Sequence, residues 1–259
     1  MELDNKINSY NKYNVCAQPH PSNELSQNLK RGVNFSVDGF TFYVIGRSEK
    51  VIICLGDFYC RLSLDQPTLY DDLSKLGCCV VALTNINCEP SNNPKAEGGV
   101  NSPILYIDAD EEQRIEKFIM EQLVLLLRLL GKTEFIIAGW HLASRIVLKL
   151  CSNKIFRFGI HLHPFVPQDT FQNKALCELA VDVFQPQLLF LDRNSIGYMK
   201  SGCSFIELLA QSPRNKAACH QLETYYNDFL QNGDNRSQLE KKAYRKALHL
   251  INIFIKVHI

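Results

Sequence analysis

The chain has 259 residues, 46% hydrophobic and 21% charged, with a formal net charge of +1. Such a length suits one α/β sheet domain with a full core. A near-neutral chain gives no field-based reason to expect nucleic acid or an acidic membrane as partner, and no stretch concentrates Lys and Arg enough to alter that.

Residues 1–31 mix Asn, Ser, Pro and His without a clean period, so an extended N-terminal arm is expected there, with one domain over 32–259. The arm has too little apolar content to fold alone. The start, MELDNKINSYNKYN, is polar and does not read as a signal peptide. Ten cysteines are spread along the chain without a CxxC pair, and Cys54, Cys78, Cys79 and Cys151 fall inside apolar runs. The expectation is a cytoplasmic or other reducing intracellular compartment, not secretion.

Next, GVNFSVDGFTFYVIG alternates apolar and polar residues on both sides of Asp38-Gly39, which predicts an antiparallel hairpin. Beyond it the apolar runs become continuous: Val51–Leu55, Cys78–Leu83, Phe135–Ala138, Phe158–His161 and Leu188–Leu191. Continuous apolar strands belong to a sheet covered on both faces. Helix-length segments separate them at Pro67–Leu76, Glu111–Leu130 and Leu142–Cys151, and a last helix is expected over Ser237–Phe254. Glu121 and Arg128 interrupt the most apolar of these, so no membrane span is expected. The alternation predicts a mostly parallel central sheet with helices on both faces, preceded by the hairpin.

The segment Glu134–Leu150, EFIIAGWHLASRIVLKL, runs from a buried strand into a helix through Gly139-Trp140-His141-Leu142-Ala143. A catalytic residue on such a sharp turn needs small residues two positions either side, because helix and strands crowd the backbone. Gly139 and Ala143 meet that need, and His141 takes the central place. A small-x-x-x-small pattern alone serves equally well to end a strand before a helix.

The order of KVIICLGDFYC, CCVVALTNINCEP, this strand-to-helix segment, FRFGIHLHPFV and QPQLLFLDRNS resembles the dienelactone hydrolase family, from about Gly32 to the last helix. The resemblance implies the α/β-hydrolase fold. It also implies a Gly-x-Cys-x-Gly-Gly elbow at Gly139–Ser144, which puts His141 in the cysteine's place. The acid position falls on Asn194, with Asp192 two residues early. The histidine position falls on Asn227, with His220 out of register. That chemistry needs a thiolate, an imidazole to shuttle the proton and a carboxylate to hold the imidazole. All three places depart from it, so no catalytic residue is expected at His141, Asn194 or Asn227. The amides of Leu142 and Phe58 would still form an oxyanion-type nest, an anion site without a catalyst.

Asp57, Trp140, His161 and His163 are the pocket candidates. His161 and His163 are two apart and expected on one strand face, beside His141, an arrangement that invites zinc. Pocket-lining or hydrogen-bonded histidines are the expectation instead, with no metal and no cofactor. Cys60 is a conceivable replacement nucleophile with no base placed beside it. Glu240, Lys241, Lys242, Arg245 and Lys246 read as a solvated helix face.

The last run, ALHLINIFIKVHI, is apolar on every face, so one flank should stay uncovered by a single domain. The favoured expectation is a catalytically inactive, dienelactone-hydrolase-like structural or binding subunit of an intracellular assembly, docked on other proteins through the N-terminal arm and this tail. Beside it stand an active ester or lactone hydrolase with a rebuilt metal- or cysteine-dependent site, and a small-molecule sensor.

Overall fold

The computed structural model describes residues 32–56, 67–85, 109–140, 143–164, 170–191, 205–211, 217–222 and 238–259. Strand β1 (Val33–Val37) turns through Asp38 and Gly39 into β2 (Phe40–Ile45). Both turn residues have positive φ, 48° and 79°. That pair of angles is what a two-residue hairpin needs to match the twist of its strands, and Asp-Gly accepts it at little cost.

The described strands form one eight-stranded sheet in the order β1-β2-β4-β3-β5-β6-β7-β8. Its later members are β3 (Lys50–Leu55), β4 (Cys79–Asn85), β5 (Glu134–Trp140), β6 (Phe156–Leu162), β7 (Gln187–Leu191) and β8 (Ala218–Gln221). Only the hairpin is antiparallel: β1 pairs with β2 and β2 with β4 in opposite sense, while every pair from β4 to β8 is parallel. The continuous apolar runs are therefore the central strands, buried on both faces.

Seven α-helices are described. Helices α1 (Pro67–Ser74) and α7 (Gln238–His258) cover one face, where Leu69, Tyr70, Leu73, Ala247, Ile251, Phe254 and Ile255 meet Ile52, Ile136, Phe158 and Phe190. The other face carries α2 (Ala109–Phe118), α3 (Val124–Leu129), α4 (Ser144–Cys151), α5 (Thr170–Asp182) and α6 (Phe205–Gln211) over Phe40, Val81, Ile137 and Leu189. Phe40 and Phe42 of the hairpin stack on Phe118 at centroid distances of 4.2 and 5.6 Å. Buried Glu112 binds Arg145 at 3.1 Å and Lys149 at 2.9 Å, which ties α2 to α4.

Two expectations are refined. The helix over Glu111–Leu130 is α2 and α3 joined by a π-turn, Ile119–Leu123, where the Val124 N–H donates to the Ile119 carbonyl. The last helix runs on past Phe254 to His258. Its tail divides: Ile255 is buried and Ile259 packs on the core, while Ile253 and Val257 face outward. No helix among the described residues is long and apolar enough to cross a membrane.

Candidate functional site

Strand β5 ends at Trp140, and α4 opens at Ser144 behind a single helical residue, Ala143. His141 and Leu142 span that junction and lie outside the described residues. Gly139 shows why the sequence is small on either side of it. A Cβ there would stand 2.6 Å from Val147 Cγ2 and 3.0 Å from the Ala143 carbonyl carbon. Real side-chain carbons do not come so close, so α4 can press on the sheet only over glycine.

The same crowding continues on the next strand. A Cβ on Gly159 would collide with Gln187 Oε1 and come within 2.9 Å of Cys151 Sγ and Val147 Cγ1. Gly159 thus clears a slot on the α4 side of β6 into which the Gln187 side chain lies. His161 occupies the adjoining place, fully buried, with Nε2 2.7 Å from Gln187 Oε1. Gln187 Nε2 donates to the Gln185 carbonyl at 2.9 Å, so Oε1 is the acceptor and Nε2 of His161 carries the proton. Burial pushes this imidazole down to about 4, against the lesser opposing pull of the Gln187 bond. It is neutral at pH 7, and among the described residues its Nδ1 has no partner.

His163 lies just beyond β6 with φ of 51°, and its N–H donates to the Phe190 carbonyl at 3.0 Å. The two-residue alternation expected to align it with His161 stops there. Trp140 is buried on the opposite face, edge-on to Tyr70 at 6.2 Å. Among the described residues neither Trp140 Nε1 nor the Tyr70 hydroxyl has a partner. Burial first, and then the Cys54 thiol, raise the Tyr70 hydroxyl well above the usual phenol range. Burial likewise holds Cys54 as a thiol, not a nucleophilic thiolate.

Asp57, Phe58, Cys60, Asp192, Asn194 and Asn227 lie outside the described residues. Topology nevertheless orders them. Positions 57–60 follow β3, 141 follows β5, 192–194 follow β7, and 227 lies between β8 and α7. Those four strands are parallel, so their C-terminal ends lie along one edge of the sheet, the edge at which open α/β sheets bind ligands. Among the described residues no three His, Cys, Asp or Glu side chains are grouped to hold a metal.

The Gln187–His161 pair escaped the sequence reading. Its signal was a glutamine opening an otherwise apolar strand, since a buried amide needs a partner on a neighbouring strand. His220, out of register in sequence, is half-buried on β8 with its ring 6.2 Å from that of Phe190. Burial, and then the Lys246 charge, lower its basicity.

No protein-family model and no curated protein matches the chain. Solved structures do. An esterase of Pyrococcus furiosus superposes with a TM-score of 0.60 at 10% identity, over 95% of this chain and 98% of that one. A monoglyceride lipase of Saccharomyces cerevisiae gives 0.54 at 12% identity, over 93% and 98%. A putative dienelactone hydrolase of Klebsiella pneumoniae gives 0.53 at 12% identity, over 82% and 92%. Identities this low speak for architecture and leave function to the site. The chain has the α/β-hydrolase fold.

Proposed function

We propose that the protein is a pseudoenzyme: a dienelactone-hydrolase-like domain without hydrolytic activity that serves as a structural or binding subunit of an intracellular assembly. One observation carries the reading. The residue that directly follows β5, where this fold sets its nucleophile at the strand-to-helix junction, is His141. An imidazole there has no hydroxyl or thiol to acylate. The two supporting places, Asn194 after β7 and Asn227 after β8, carry amides, which neither hold an imidazolium nor shuttle a proton. His161 is no substitute base, because it is sealed under α4 and bonded to Gln187.

In this reading the backbone nest at Leu142 and Phe58 remains as an anion site, with Asp57 and His163 beside it. No metal or cofactor is called for. Buried thiols at Cys54, Cys78, Cys79 and Cys151 agree with a reducing compartment. Protein partners are assigned first to the polar arm, 1–31. The tail offers them less than its sequence suggests, because Ile251, Phe254 and Ile255 go into the core.

The test is a panel of activated esters and lactones assayed with the purified full chain. We expect no rate above a heat-killed control and no change on His141→Ala. Turnover abolished by His141→Ala overturns the proposal. Turnover abolished by Cys60→Ala overturns it in favour of a rebuilt cysteine site.

A further inference from the structure

The last helix carries five Lys and Arg residues, four of them clustered at Lys241, Lys242, Arg245 and Lys246 and the fifth at Lys256. Folding sets all five on one face. Helix α7 is 21 residues long, which at 1.5 Å per residue makes a rod of about 31 Å. Its exposed residues include Lys241, Lys242, Arg245, Lys246, His249, Ile253, Lys256 and Val257. At 100° per residue these fall within an arc of roughly 160°. Among the described residues none of the four lysines or Arg245 makes an ion pair or a hydrogen bond. The helix's one acidic residue, Glu240, lies off that arc and is half-buried.

One flank of this basic face is aliphatic. Leu239, Ile253 and Val257 are 47%, 44% and 69% exposed and lie on the same side of the arc. The other side of the helix is spent on the core, so the face cannot turn inward. Unpaired lysines beside exposed aliphatic groups are a poor match for a protein partner, whose interfaces are depleted in lysine. They match a lipid surface, where long cationic side chains reach phosphates while neighbouring apolar groups enter the acyl boundary.

We propose that the outward face of α7 docks on an anionic membrane surface, laying the helix in the interfacial plane. Lys242, Lys246 and Lys256 meet the headgroup charge, and Ile253 and Val257 enter the lipid. This inference is independent of whether the domain is catalytic.

The experiment is co-sedimentation of the full chain with vesicles of phosphatidylcholine and phosphatidylserine at 70:30, against pure phosphatidylcholine. Each cation near such a surface contributes about fivefold to partitioning. The variant Lys242→Gln/Lys246→Gln/Lys256→Gln should therefore bind about a hundredfold more weakly. All three side chains are exposed, so its melting temperature should match the parent's and show that it folds. In 0.5 M salt, where charges are screened beyond about 4 Å, the parent's binding should fall sharply. Neutralising Lys117, on α2, and Lys154, in the turn after α4, should change nothing. The proposal is overturned by no binding to the anionic vesicles, by equal binding to both vesicle types, or by an unaffected triple variant. Binding to polyglutamate as tight as to the vesicles overturns it in favour of an acidic protein surface.

Discussion

His161 is sealed beneath α4 as a neutral imidazole, and its pKa of about 4 lies below its ordinary value of 6.5. The unfolded chain therefore takes the proton first as pH falls. The stability from the neutral form is complete above about pH 6.5 and is lost progressively between about 6.5 and 4. Over that window the loss is about 3 kcal/mol. His220 contributes in the same sense. Urea unfolding at pH 7 and pH 4.5 should show this loss. His161→Gln should leave a much shallower dependence, and an unchanged slope in that variant removes His161 as its source. A second outcome concerns Gly159, where an added methyl strikes Gln187 Oε1. Gly159→Ala should destabilise by about 2–3 kcal/mol. Combining it with Gln187→Ala should cost at least about 1 kcal/mol less than the sum of the single changes. A double variant at the full sum means the two side chains do not compete for one slot. The need for glycine at 139 was legible, since the pattern Gly-x-x-x-Ala straddles a strand-helix junction. The need at 159 was not, because FGIHL carries no local sign that a glutamine from the next strand lies over it.

The elements repeat this division. Strands β3 to β7 were legible because burial on both faces leaves an uninterrupted apolar run, and the hairpin because Asp38-Gly39 supplies two positive φ angles. Strand β8 was missed: its four residues, Ala218–Gln221, are half-buried or exposed and give neither a run nor an alternation. Helix α5 was missed too, its apolar residues being weakly sided over Thr170–Asp182. The π-turn was invisible as geometry, though not as spacing. Buried positions 115, 118 and 119, up to its first residue, and 123, 124 and 127, from its last, are one residue further apart than an α-helix demands. Removing Gln122 should close the turn into plain α-helix with both apolar faces still inward. We expect the melting temperature of that deletion to stay within about 4 °C of the parent's. Deleting Arg114, inside the regular part of α2, should rotate the preceding turn out of the core and unfold the domain. If both deletions are equally harmful, the π-turn is not an inserted residue.

At the scale of the molecule, order along the chain revealed the fold where identity could not. Structures at 10–12% identity share the architecture over most of their length because the sheet, not its particular side chains, is what persists. For the candidate site the sequence offers only differences from the family's pattern at positions expected after strands, where no periodicity constrains the residue. The strand order carries a further consequence, in time. The hairpin is synthesised before the rest of the described sheet, yet its sheet neighbour is β4 and the ring that covers Phe40 and Phe42 is Phe118. A ribosome adding about 5–20 residues per second needs about 4–15 s to travel from Phe42 to Phe118. Until β4 is made the ribbon keeps an open edge, and for the whole interval its two phenylalanines lack that ring. Such a ribbon is marginal in water and apt to pair with another of its kind. The aggregation hazard of this domain therefore falls while the chain between β2 and the central strand β5 is being made.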